Sequence, residues 1–337
     1  MSNLNDLTAL ALPSGSQLVA DATESRLSLS LDGQPLIRLR LDREGLGAIQ
    51  VDERYALPPG QALWAACYWL FAQDPARQQL IWQLDQSPTE ALFSGLLVGT
   101  EVAGEYRCER TLFWQLPQPW LGTSLTGSYP QQMVISNGKR HPLRPVKPRG
   151  EVYRRFDARL GAWISLRTVE IEQDLARFNR WQNSPRVASF WQEEGSLEQH
   201  REYLSKLDAD PHTLTLIGCF DDQPFAYFEA YWAKEDRIAP FYDADNYDRG
   251  IHMLVGEEDH RGPHKVASWL SALVHYLFLD DPRTQRVVAE PRADNAKMIG
   301  HMHNQCFHCE KEFDFPHKRA ALMILGRERF FDRCTLV

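Results

Sequence analysis

The stretch Gly250-Ile251-His252-Met253-Leu254-Val255, followed at once by His260-Arg261-Gly262-Pro263-His264-Lys265-Val266, decides how this chain is read. Ile251 to Val255 is an apolar run of strand length, and Val266, Leu270, Leu273, Val274, Leu277 and Phe278 then recur at helical spacing. A strand therefore passes through an Arg-Gly turn directly into an amphipathic helix. The N-terminus of a helix exposes unpaired N–H groups and positive partial charge, so this turn suits a pyrophosphate.

Working outward from it, Trp163, Ile164, Leu166 and Val169 read as a strand, and Leu175, Phe178 and Trp181 as a helix closed by Pro185. Ser196 with Gln199 three residues later has the form of a capping box opening a second helix. Leu214 to Phe220 and Phe225 to Trp232 are strands joined by a turn at Asp221-Asp222-Gln223-Pro224. Beyond the central helix come a strand at Arg286 to Glu290, a helix near Asp294 to Met302, and strands at Phe307 to Phe313 and Ala320 to Leu325. This order predicts an α/β (α+β) architecture, a mixed sheet flanked by helices.

In the first third, Leu27, Leu29, Leu31 and Ile37, Leu39, Leu41 alternate around Asp32-Gly33-Gln34-Pro35, a hairpin signature, and Gly60 to Phe71 reads as an apolar helix. Placing Asp74-Pro75 on Asp281-Pro282 brings Leu63 onto Leu270, Leu70 onto Leu277 and Phe71 onto Phe278. The early region thus reads as a truncated copy of the later one, although any amphipathic helix ending in Asp-Pro before a strand looks similar. Between them, Pro117, Pro119, Pro130, Pro142, Pro145 and Pro148, with Gly122, Gly127 and Gly138, interrupt both kinds of ladder. We expect a first domain at 1–116, a Pro/Gly-rich linker at 117–150 and a second domain at 151–337.

Composition bounds the function. The chain has 337 residues and a net charge of −8, which argues against a nucleic-acid partner because duplex binding needs a basic face. Mean hydropathy is −0.43 and no run approaches about 18 apolar residues, so no membrane span is expected. Met1 to Gln17 lacks a cationic stretch before an apolar core and does not read as a secretory signal. Six cysteines are too sparse for a disulfide scaffold and fit thiols of a reducing cytoplasm. His301, His303, Cys306, His308 and Cys309 mimic a zinc cluster, but they crowd one helix-to-strand junction rather than two knuckles, so no metal is expected.

These features resemble the GNAT acyltransferases, and within them the siderophore-pathway branch of aerobactin-type N-hydroxylysine acetyltransferases and mycobactin-type lysine acyltransferases. Arg149-Gly150-Glu151-Val152-Tyr153-Arg154-Arg155, Leu216-Ile217-Gly218-Cys219-Phe220-Asp221-Asp222, Tyr231-Trp232-Ala233 and Asp248-Arg249-Gly250-Ile251-His252 carry the resemblance. So do Glu290-Pro291-Arg292-Ala293-Asp294-Asn295 and the run from Lys311 to Arg319, and Phe113-Trp114-Gln115-Leu116-Pro117 favours the aerobactin type.

The resemblance implies acyl transfer from acetyl-CoA, or another acyl-CoA, to the hydroxylamine nitrogen of N-hydroxylysine. The product is a hydroxamate, the iron-binding unit of an aerobactin-type siderophore used in iron acquisition. Succinyl or acetyl transfer to N-hydroxycadaverine or N-hydroxyputrescine is the alternative. A non-catalytic scaffold among other enzymes of a siderophore pathway is the rival of another class.

By the same resemblance His252 and Glu290 are the catalytic pair, one removing the proton of the attacking nitrogen and the other orienting it. Met253, Leu254, Val255, Arg261, Gly262, Pro263, His264, Lys265 and Asn295 are expected to hold the coenzyme, although Asn295 equally suits a helix cap. Trp191, Tyr231, Trp232 and Arg292 are expected around the acceptor, with Glu229 and Asp248 for its ammonium. Two departures stand out. His264 and Val266 occupy positions where the family turn has glycine and a small residue, and Met302 stands where many members carry a tyrosine acid.

Overall fold

Two adjacent residues with positive φ, Asp32 at 49° and Gly33 at 79°, turn the chain between the alternating leucines on either side. The structure, a computed structural model, describes residues 8–23, 25–41, 48–55, 59–85, 96–117, 119–122, 131–333 and 336. Met1–Leu7, Gly127 and Pro130, used in the sequence reading, lie outside them. The chain divides into two compact units, Met1–Pro119 with Phe156–Ala162 and Thr335–Val337, and Trp120–Arg155 with Trp163–Cys334.

The first unit holds strands β1 (Ala9–Ala11), β2 (Gln17–Ala22), β3 (Arg26–Leu31), β4 (Gln34–Arg40), β5 (Ile49–Arg54), β6 (Gln79–Gln83), β7 (Leu97–Gly99) and β8 (Glu105–Glu109). Their spatial order is β1-β2-β3-β4-β5-β6-β8-β7. Helix α1 (Pro59–Gln73) crosses between β5 and β6, which pair in parallel. From Ala62 to Ala72 it is buried, and Trp64, Tyr68 and Phe71 pack on Phe113 of the short helix α2 (Arg110–Phe113).

A small hairpin of β9 (Met133–Ser136) and β10 (Lys139–Pro142) follows. The main sheet of the second unit comprises β11 (Glu151–Asp157), β12 (Ala162–Thr168), β13 (Thr213–Phe220), β14 (Gln223–Trp232), β15 (Arg249–Val255), β16 (Arg286–Ala289), β17 (His308–Asp314) and β18 (Arg319–Gly326). Its order is β11-β12-β13-β14-β15-β16-β18-β17, again with a parallel pair, β15 with β16, where the crossover helix joins the fifth strand to the sixth. The two sheets therefore share strand order and crossover, as the Asp-Pro correspondence anticipates.

They differ in what covers them. In the second unit, α3 (Ile171–Gln182), α4 (Pro185–Trp191) and α5 (Leu197–Ala209) intervene between β12 and β13, where the first unit passes straight from β2 to β3. Leu175, Phe178, Trp181 and Leu204 bury their apolar stripe against Ile217, Tyr227 and Leu254. Helix α6 (Pro263–Asp280) makes the parallel crossover, α7 (Ala296–Asn304) precedes β17, and α8 (Arg327–Arg333) closes the unit.

The segment expected as a linker is largely built into this second unit. Its basic side chains find acceptors there. Lys139 Nζ donates to the carbonyls of Glu235 (2.8 Å) and Asp236 (2.7 Å), and Arg144 grips both carboxylate oxygens of Glu235 at 2.6 and 2.5 Å. Lys147 Nζ donates to the carbonyls of Leu207, Asp210 and Thr213 at 2.8, 3.0 and 3.0 Å. No helix among the described residues is long and apolar enough to cross a membrane.

Candidate active site

All seven residues of β15 pair with β14, from Arg249 opposite Trp232 to Val255 opposite Ala226. On its other edge only Arg249 and Gly250 pair, with Val287 and Val288 of β16. Past that point the two parallel strands splay apart. Ala233 N donates to Asp248 O and Gly256 N to Phe225 O, which sets the alternation of the antiparallel ladder. By that alternation Gly250, His252 and Leu254 turn their main-chain groups toward β14, and Ile251, Met253 and Val255 turn theirs into the splay. Helix α6 begins at the same opening. Its cap, Gly262, has φ 120°, Pro263 carries no N–H, and the first helical bond is from Val266 N to Gly262 O at 2.9 Å. The N–H groups of the first turn are left for an external acceptor.

A cleft of about 1340 Å³ runs along the splay. At its inner end the cross-strand pair Glu229 and His252 lies side by side. The imidazole is clamped. Nδ1 donates to Glu229 Oε2 at 2.8 Å and Nε2 to Glu290 Oε1 at 2.7 Å. Each carboxylate is itself held, Glu229 by the hydroxyls of Tyr203 (2.6 Å) and Tyr227 (2.9 Å), Glu290 by that of Tyr231 (2.7 Å). Gly250 is obligatory here, because a Cβ on it would stand 1.9 Å from the Tyr231 ring. Trp191 meets the imidazole edge-on at 6.3 Å.

The electrostatics follow from this clamp. Burial alone would push the His252 pKa down, but the two carboxylates outweigh it and raise it to about 10. Burial likewise disfavours charge on Glu290 and Glu229, yet the imidazolium holds both below the ordinary carboxylate range. A folded imidazole that binds its proton more tightly than an unfolded one adds stability in full below about pH 6.5, and loses it as pH rises toward about 10. The carboxylates contribute in the opposite sense, losing theirs on acidification. We expect the His252 ring signals in an NMR titration to stay in the protonated form through neutral pH and to move only near pH 10; a midpoint near 6.5 would refute the clamp.

The cleft gathers most of the residues expected from sequence. Met253, Leu254, Val255, Arg261, Gly262, Asn295, Trp191, Glu229, Tyr231 and Arg292 line it with His252 and Glu290. Asn295 is also the cap of α7, its Oδ1 accepting from Met298 N at 3.2 Å. Arg292 pairs with Asp294 at 2.6 Å. Pro263, His264 and Lys265 form the first turn of α6 without lining the cleft, and the Lys265 ammonium lies over the Phe220 ring at 4.5 Å.

Two expectations are corrected. Trp232 is stacked between Arg144 and Arg249 outside the cleft, and Asp248 is buried in an ion pair with Arg286 at 2.8 Å, with Tyr242 also donating to it. Trp232 pairs with Arg249 at the end of β15 that also pairs with β16, and Asp248 precedes that strand, so both lie away from the splay. Glu229, expected near the acceptor's ammonium, lines the cleft and bonds the imidazole as the second arm of the clamp. Met302 is fully buried and offers no acid. The cysteine-rich junction does not converge on a metal geometry; among the described residues the one such grouping is His141, His212 and Glu235, and Glu235 there is occupied by Arg144.

A model of the acetyltransferase (GNAT) domain matches residues 170–315. The chain is 49% identical over 232 residues to a putative lysine N-acyltransferase of Schizosaccharomyces pombe, covering 68% of this chain and 69% of that one. It is 45% identical to an Escherichia coli N(6)-hydroxylysine O-acetyltransferase over 67% of this chain and 72% of the relative. The chain belongs to the GNAT siderophore acyltransferases. It is an acyltransferase. A crystal structure of an uncharacterized Bacillus halodurans protein superposes on 56% of this chain and 95% of its own, with TM-score 0.53 and 29% identity.

Proposed function

We propose that the second unit transfers an acyl group from an acyl-coenzyme A, acetyl-CoA in the simplest case, to the hydroxylamine nitrogen of an N-hydroxylated lysine, giving an aerobactin-type hydroxamate. The observation that carries this reading is His252 clamped between Glu229 and Glu290 at the inner end of the splay. The turn at Gly262 would take the pyrophosphate on its free N–H groups. The pantetheine arm would lie along the exposed main chain of Ile251, Met253 and Val255, whose donors face a thioester oxygen as it becomes an oxyanion.

In this reading both ring nitrogens of His252 are spent on carboxylates, so the imidazolium orients and polarises rather than taking a proton. Glu290 is the acceptor. A hydroxylamine is less basic than an alkylamine and arrives neutral, and once bonded to the acyl carbon its nitrogen is acidic enough to yield a proton to a weak carboxylate base. The carbon–sulfur bond then breaks, leaving the hydroxamate and coenzyme A thiolate. Residues 1–140 contain no histidine, so the first unit has no imidazole with which to build an equivalent clamp, and we assign it no catalytic part.

The test is coenzyme A release with acetyl- and succinyl-CoA against N-hydroxylysine, N-hydroxycadaverine and N-hydroxyputrescine, followed by ferric iron. A coloured ferric complex marks acylation on nitrogen, since an oxygen ester does not chelate that way. No release with any pair would leave a scaffold.

A further inference from the structure

Beside Glu290, two cations face the cleft with few commitments. Arg237 follows the turn after β14, and among the described residues its one ion-pair contact is Glu290 Oε1 at 3.6 Å, outside hydrogen-bond range. Lys318 stands in the turn between β17 and β18 and spends one donor on the Glu290 carbonyl at 2.7 Å. Both pack on one ring, with their charged ends 5.5 Å from the centroid of Phe315, which His317 also stacks against. All three line the cleft.

The carboxylates nearby are already engaged. Glu290 accepts from His252 and Tyr231, Glu229 from His252 and two tyrosines, and Asp236 Oδ1 from the Ile238 amide at 3.0 Å. The guanidinium fork and the ammonium therefore keep donors uncommitted at the cleft wall, beside Glu290. A hydroxylated diamine and a hydroxylated lysine both carry an ammonium, and only the lysine adds a carboxylate to pair with these cations. An anion with two oxygens fits a guanidinium fork far better.

We infer that Arg237 and Lys318, held over Phe315 beside Glu290, form a subsite for a substrate carboxylate. The inference rests on the acyl-transfer reading above and sharpens it. The carboxylate comes either from the α-carbon of an amino-acid acceptor or from the far end of a dicarboxylic acyl group. The first would make the enzyme select hydroxylated amino acids over hydroxylated diamines.

Arg237 is half exposed, so R237Q removes charge without opening a core, and K318Q is the second variant. Steady-state kinetics of both would be compared with N6-hydroxylysine and N-hydroxycadaverine, which differ only in the carboxylate, using acetyl-CoA and then succinyl-CoA. The expected result is a rise in KM for N6-hydroxylysine exceeding that for N-hydroxycadaverine by roughly ten- to a hundredfold, the worth of a charge-assisted hydrogen bond, with kcat moving much less. A loss that instead follows succinyl-CoA upholds the subsite and places the carboxylate on the acyl group. Equal losses for the carboxylate-free pair overturn it. Wild-type enzyme that turns over while R237Q and K318Q change neither the acceptor preference nor the donor preference sinks the subsite alone, whereas wild-type silence with every pair sinks the acyl-transfer reading beneath it.

Discussion

Glu290→Gln is expected to lower kcat by about 10²–10⁴-fold, the usual contribution of a positioned proton acceptor. The amide keeps the shape of the side chain and can still take the Tyr231 hydroxyl bond, so the fold should survive and far-ultraviolet dichroism should be unchanged. Only one arm of the clamp would then carry charge, and the His252 ring should titrate at a lower pH than in the wild type. That second readout separates chemistry from misfolding. His252→Gln would damage turnover through orientation, without changing the identity of the acceptor. A Glu290→Gln variant with wild-type kcat would remove the carboxylate from the reaction.

The largest effect on stability is expected at Arg249→Met. Arg249 opens β15, is almost fully buried, and donates to Asp280 Oδ2 at 2.8 Å while its guanidinium lies 4.1 Å from the Trp232 ring. Removing one partner of a buried pair leaves the other charge uncompensated, which costs about 3–5 kcal/mol. For a unit of this size that is a fall in melting temperature of roughly 6–20 °C. Burial already pushes the Asp280 carboxyl up, so protonating it should relieve the variant on acidification. Adding Asp280→Asn should restore much of the loss. A thermal melt of Arg249→Met within a degree or two of wild type would contradict the account.

Much of this architecture is legible in the chain because short-range patterns encode it. Alternation around Asp32-Gly33, the Ser196 and Gln199 box, and the stripe of α6 each specify an element without help from distant residues. The omissions share a cause. Pro185 reads as the end of α3, yet it sits at the first position of α4, where a missing N–H is harmless. The prolines and basic residues at 117–150 read as solvated chain because their acceptors, Glu235 and the carbonyls of Leu207, Asp210 and Thr213, lie far along the sequence.

The candidate site divides in the same way. Motif resemblance points to His252 and Glu290, but Glu229 as a clamp needs the register of β14 against β15, which the long connection between them leaves undetermined. Arg237 and Lys318 give no periodic signal at all. Only the closing of two separate turns around Phe315 brings them together.

The three carbonyls gathered by Lys147 bear on how the second unit can be handled in isolation. Two of them, those of Leu207 and Asp210, come from the end of α5 and the residue after it, and the third opens β13. A shortened chain beginning at Gly150 would leave this oxygen cage without its cation and Glu235 without its guanidinium. The turn bearing Arg237 would come loose with them. A fragment meant to fold alone should therefore begin near Trp120, because the basic segment from Lys139 to Arg149 is its fastening.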